Sequence, residues 1–368
     1  MKVLLAVDEY PPYIWGGMGK SVRLLAESLF SLKVEIIVLT VNRQSDSVIQ
    51  DRYHNINVFR VPTKKEKVFL KTFLARENPD IIHINGRHYG KLAKFFHQNN
   101  IRIIYTSRSN FLEEVRTGSL RFNKRKLQYQ ELLLRLANYV VTTSKNESES
   151  LMSDYPWIQN KLVIIPNGID LKEDKPLELD DKLKFLRSKM VFFAGRFVKQ
   201  KGIDTLLSLI PQIFKENEEV SIVVAGGHGK ISYENELLKL VNEYPKLKYK
   251  GWLNEKQLQK YYKQASIVLM LSSYEPFGLV ITEAMVKGCV VIAHPASGPR
   301  EIIRSGLNGF LVNRTERPQI LHLIHDILEN QLQTNKIRTQ AWKTIMNQYT
   351  IDKMVKLYLK LYKQCHEN

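Results

Sequence analysis

This chain is short of several things, and each absence narrows the field. Of 368 residues only two are cysteine, Cys289 and Cys365. That is too few for a disulfide framework, and neither has a partner at metal-ligand spacing. Such usage fits a reducing cytoplasm. No apolar run reaches the ~18 residues needed to cross a bilayer. There is no low-complexity segment, no Asp-x-Asp triplet and no His/Cys cluster, so the sequence offers no ready site for a divalent cation. Acid is the scarcer charge, with 37 Asp and Glu against 55 Lys and Arg, a net +18. A basic surplus suits anionic partners. No recognised nucleic-acid-binding motif accompanies it, which argues against nucleic acid.

What is present looks globular. Apolar residues make up 44% of the chain, ordinary for a folded protein, and the length predicts two domains. The opening Met1–Asp8 is short, apolar and then acidic. It reads as a first buried strand and not as a signal peptide. Further strands are expected at 35–40, 57–61, 81–84, 102–106, 139–142 and 162–165. Helical stretches between them, at 19–32, 64–77, 90–99, 123–137 and 146–154, imply βαβ units and a mainly parallel sheet. A charged, Pro-containing stretch within 171–187 is the linker candidate. The pattern then restarts with strands at 190–194, 220–225, 248–249, 267–271, 290–293 and 309–311. The expectation is an α/β protein of two doubly wound domains, 1–170 and 188–351, facing a central cleft. Ligands bind such sheets at the carboxyl ends of the strands. A last helix, 352–364, carries an apolar stripe of Met354, Val355, Leu357, Tyr358, Leu361 and Tyr362, and must pack on something.

The richest segment is Glu275-Pro-Phe-Gly-Leu-Val-Ile-Thr-Glu283. Its two carboxylates stand eight residues apart, behind an apolar strand and at the entrance to a helix expected over 279–287. That spacing predicts Glu283 slightly more than two turns beyond Glu275. Acceptors beside helix N-terminal amides suit a ligand bearing hydroxyls and phosphate. Arg196 and Lys201 flank a loop after the first strand of the second half. Such a pair suits a diphosphate, Arg as a forked donor and Lys as a mobile charge; alone it is equally two surface cations. Gly16-Gly17-Met18-Gly19 follows the first strand. It permits close backbone approach and positive φ, or is simply a tight strand-to-helix turn.

Taken together, Gly16-Gly17, Pro166-Asn-Gly-Ile-Asp170, Gly195-Arg196…Lys201-Gly202 and Glu275-x7-Glu283 resemble a retaining GT-B glycosyltransferase, similar to family 4, over nearly the whole chain. The resemblance implies a nucleotide-diphosphate sugar as donor substrate, a UDP-sugar as first guess. It also implies a glycan, lipid or small-molecule hydroxyl as acceptor, and no metal or other cofactor. Arg196 and Lys201 would hold the donor diphosphate and Glu275 the sugar hydroxyls. Phe277, Gly278 and Leu279 would line the pocket, and Glu283 would hold the ribose. Gly16 and Gly17 would approach the donor phosphate from the first domain, and the last helix would cross back to that domain.

One departure stands out. Where such proteins place a His after a first-domain strand, this chain reads Ile104-Tyr-Thr-Ser-Arg108. Arg108 cannot act as a base, but it can donate to a sugar hydroxyl or a phosphate. It equally motivates a catalytically reduced protein with a binding or structural role in a cell-surface or coat assembly. His83 and His88 lie nearby, His83 more simply as a hydrogen-bonded strand-end residue. His228 is expected near the base site. Trp252 is expected as its wall or as core, and Glu301 as a pocket residue or a helix cap. A basic knot, Arg116, Arg121, Lys124, Arg125 and Lys126 interleaved with Phe111, Leu112, Leu120 and Phe122, is either a solvated face or peripheral contact with an anionic membrane.

Overall fold

A strand buried on both faces reads as an unbroken apolar run, and Lys2–Val7 (β1) is one: KVLLAV, buried from Val3 onward. A computed structural model describes residues 1–14, 16–171 and 188–367. It divides into two units. One comprises Met1–Arg116, Leu120–Asp170 and Thr350–Asn368; the other comprises Leu171–Tyr349 with Thr117–Ser119. Apart from Leu171, the linker expectation lies outside the described residues.

In the first unit β1 is followed by β2 (Glu35–Val41), β3 (Ile49–Tyr53), β4 (Ile56–Val61), β5 (Ile81–Asn85), β6 (Arg102–Thr106), β7 (Tyr139–Thr142) and β8 (Leu162–Ile164). They form one sheet in the order β3-β4-β2-β1-β5-β6-β7-β8. All pairings are parallel except the edge pair β3–β4. The order reverses between β1 and β5, so the loops after these strands diverge and leave a crevice. Alternating residues of β1 feed two cores. Val3, Leu5 and Val7 pack with the helices Gly17–Ser31 and Ile351–Glu367. Leu4 and Ala6 pack with the helices on the opposite face, among them Glu66–Glu77 and Lys124–Leu136.

The helix Ile351–Glu367 therefore belongs to the first unit. Met354, Val355, Tyr358, Leu361 and Tyr362 of its expected stripe are buried, but Leu357 is 42% exposed and lies off it. Polar bonds anchor this helix. His83, wholly buried on β5, lies 2.7 Å from the Tyr362 hydroxyl and 2.7 Å from Thr106 Oγ1, which in turn lies 3.1 Å from the Tyr358 hydroxyl. Burial, reinforced by the charge of Arg108, pushes the His83 pKa down to about 3. The ring stays neutral at ordinary pH and acts as a structural tie.

The second unit is built from β9 (Ser188–Arg196), β10 (Ser221–Gly227), β11 (Leu247–Tyr249), β12 (Ala265–Met270), β13 (Val290–Ala293) and β14 (Phe310–Leu311). The sheet order is β11-β10-β9-β12-β13-β14 and every pairing is parallel. Here the reversal falls between β9 and β12. Among the described residues no helix is long and apolar enough to cross a membrane.

Candidate active site

The loops after β9 and β12 flank the reversal point, and they carry Arg196, Lys201 and Glu275. Their meeting follows from strand order, since β9 and β12 are neighbours although the residues are far apart in sequence. Lys201 Nζ lies 2.7 Å from Glu275 Oε2, with 25% and 18% of the respective side chains exposed. Two further bonds dock the loops. Ser273 N–H donates to the Gln200 carbonyl at 2.8 Å, and Gln200 Nε2 donates to the Tyr274 carbonyl at 3.2 Å. Gln200 is a residue that sequence reasoning missed; its role is only visible once the loops are adjacent. Arg196, at the end of β9, is exposed. Among the described residues its side chain has neither an ion pair nor a hydrogen bond.

Gly278 begins the helix Leu279–Val286 from a left-handed conformation, φ 103°, which glycine adopts without a Cβ clash. Glu283 is the fifth residue of that helix, because Glu275–Gly278 is loop. The separation along the helix is thus just over one turn and not the two expected from continuous helical spacing. Glu283 is only 7% exposed and lies beside buried Tyr262, whose pKa is raised first by burial and then by the Glu283 charge. Phe277 is buried, against Tyr349, and Leu279 is partly exposed. The loop is braced from behind. Gly298 N–H donates to the Glu275 carbonyl at 2.8 Å. A Cβ at Gly298 would stand 2.0 Å from the Phe277 carbonyl oxygen.

Of the peripheral candidates, His228 and Trp252 form an edge-on ring pair at 4.8 Å. Trp252 is 41% exposed and so is not core. Glu301 sits within the short helix Ser297–Ile302 and does not cap it.

In the first unit, Gly16 precedes the helix Gly17–Ser31 with φ −165°, an extended conformation open to any residue. The positive φ expected there is not used. Both Gly16 and Gly17 are exposed. One amide of that helix end is already occupied, as Gly19 N–H donates to Glu9 Oε1 at 3.0 Å. The motif did not signal Glu9. Arg108 follows β6 and is partly exposed. Its Nη1 donates to Asn167 Oδ1 at 2.9 Å and to Ser21 Oγ at 3.4 Å, and its Nη2 donates to Asn85 Oδ1 at 2.5 Å. His88 lies 2.7 Å from Glu66, which is 1% exposed. In the basic knot, Arg116 is bound to Asp154 and Glu113. Arg121, Lys124, Arg125 and Lys126 are exposed, as is Phe122 at 61%. Among the described residues no group of three or more His, Cys, Asp or Glu could hold a metal.

Two doubly wound parallel units of this topology define the GT-B type of α/β protein. A family model described as "Glycosyltransferase Family 4" matches residues 15–173, and one described as "Glycosyl transferases group 1" matches 174–344. An uncharacterised glycosyltransferase of Methanocaldococcus jannaschii is 30% identical, over 99% of this chain and 98% of the relative. Among solved structures, sucrose-phosphate synthase from Thermosynechococcus elongatus superposes with a TM-score of 0.82, at 21% identity over 99% of this chain and 98% of that one. HepE of Anabaena, solved with UDP-glucose, superposes with a TM-score of 0.79, at 19% identity over 99% and 100%. The chain belongs to the group 1 glycosyltransferases of the GT-B type.

Proposed function

We propose that this protein is a retaining, metal-independent glycosyltransferase that moves a sugar from a nucleotide-diphosphate donor to a hydroxyl on a glycan, lipid or small molecule. The observation that carries this is the partly buried Lys201–Glu275 pair at the sheet's reversal point, with exposed Arg196 at the end of β9. A diphosphate arriving there meets a forked cation and a mobile one. It competes with Glu275 for the Lys201 ammonium and frees the carboxylate to accept sugar hydroxyls. Both cations then stabilise the charge that grows on the departing diphosphate. That phosphate takes the acceptor proton in a front-side displacement, so an α-configured donor gives an α-linkage. Glu283 holds the ribose, and the Phe277-Gly278-Leu279 backbone shapes the pocket. The first unit receives the acceptor.

A thermal-shift series with UDP-, GDP-, ADP- and dTDP-sugars tests the donor assignment. One base class is expected to raise Tm with saturation, since a ligand that binds only the folded state stabilises by RT ln(1 + [L]/Kd). UDP is the first probe because HepE was solved with it. No shift with any of the four sinks the proposal. Nucleotide binding without turnover of any donor favours the second reading, a catalytically reduced binding or structural protein, for which Arg108 is the motive.

The exposed Arg121, Lys124, Arg125, Lys126 and Phe122 further suit peripheral contact with the anionic inner face of a membrane. Replacing the four cations with Gln is expected to abolish co-sedimentation with phosphatidylglycerol vesicles at low salt. Unchanged sedimentation makes this a solvated face.

A further inference from the structure

Arg108 is a cation in neutral company. Its three acceptors, Asn85, Asn167 and Ser21, carry no charge, and among the described residues no carboxylate pairs with it. Burial holds its pKa below the usual guanidinium value, and the modest opposing influences come from Tyr358 and Tyr362, not from acid. The guanidinium nevertheless stays protonated. Nearby His83 cannot supply a counter-charge, since it is neutral and already hydrogen-bonded on both nitrogens.

The donor count leaves room for a ligand. A guanidinium offers five N–H groups, and three hydrogen bonds use three of them. The Nε–H is buried without a partner and out of a ligand's reach, which leaves one Nη2 proton. The Ser21 contact, at 3.4 Å, is the longest of the three and the easiest to exchange. Ser21 is itself secured to Asn167 Oδ1 at 2.7 Å. The amide oxygens hold the fork in place and leave its charge uncompensated. A partly desolvated charge is stabilised when an opposite charge meets it, and carboxylate and phosphate oxygens match the guanidinium fork.

We infer that Arg108 is the receptor for an oxyanion on the acceptor, so that this enzyme takes an acceptor bearing a carboxylate or phosphate in preference to neutral counterparts. This rests on the reading above that the first unit receives the acceptor, and it adds the acceptor's chemical class.

Binding to the whole chain separates the two groups. One arm compares glucuronate with glucose, the other glucose 6-phosphate with glucose, both in the presence of UDP. The wild type is expected to bind the anionic member of one pair about ten- to a hundredfold more tightly, the range of a charge-assisted contact. Arg108→Gln is expected to erase that ratio and leave UDP affinity unchanged. Arg108→Lys, which keeps the charge without the fork, is expected to retain part of it and remains informative if the Gln variant fails to fold. No preference in either pair, or a preference that survives Arg108→Gln in a folded protein, overturns the inference. A wild type that binds no nucleotide at all fails earlier and brings down the donor assignment as well.

Discussion

Lys201→Ala is expected to lower kcat/KM for transfer by about 10²–10³-fold with the fold intact, a loss typical of removing one preorganised electrostatic group from a transition state. Two effects act together. The departing diphosphate loses a cation, and Glu275, with 18% of its side chain exposed, loses the Lys201 ammonium. Glu275→Ala is expected to reduce transfer as severely by another route. It releases Lys201 for the phosphate, so nucleoside-diphosphate affinity should hold or rise while sugar positioning fails. Measuring UDP affinity and kcat/KM for both variants tells the routes apart. If both retain near wild-type rates, with circular dichroism and Tm unchanged, the site has been misassigned.

Gly298→Ala should be the most damaging change that touches no ligand. The new Cβ would sit 2.0 Å from the Phe277 carbonyl oxygen, far inside contact distance and against backbone that has no rotamer to change. Either the helix Ser297–Ile302 or the Glu275–Gly278 loop must move by an ångström or more. Such overpacking costs about 1–3 kcal/mol, visible as a lowered Tm. A displacement of that size at the donor loop is worth about a hundredfold in rate. A variant with wild-type Tm and rate would show that the loop has slack and is not braced as described.

Much of this was legible in the sequence because both sheets are parallel and covered. Strands such as β1, β2 and β12 are continuous aliphatic runs, and little else explains a run of that length between helical segments. The edge strand β3 was not legible. Its IQDRY is mostly exposed and carries no apolar alternation, so it pairs through backbone and through the polar pairs Asp51–Arg60 and Arg52–Asn57. Lys201 and Glu275 were visible within motifs, but not their contact. Lys201 and Glu275 lie 74 residues apart, and only the neighbouring of β9 with β12 brings them together. Glu283 stands one turn into its helix, not two turns from Glu275, because the Pro-Phe-Gly segment is loop and helical spacing does not run through it. The surroundings of Arg108 were least accessible. Ser21 and Asn167 are 146 positions apart, and no local pattern announces that an arginine will be met by amides instead of acids.

The helix Ile351–Glu367 also has a consequence for how the molecule is made. It covers one face of the first sheet, and Ile169 forms a backbone bridge with Thr350. During synthesis, the first half emerges with that face covered only in part, by Gly17–Ser31, and must wait for residues 351–367. The second unit, nearly continuous in sequence, is complete at Tyr349, before that helix is made. The part made first is therefore the part finished last. While it waits, its uncovered aliphatic surface is what a nascent-chain chaperone would meet.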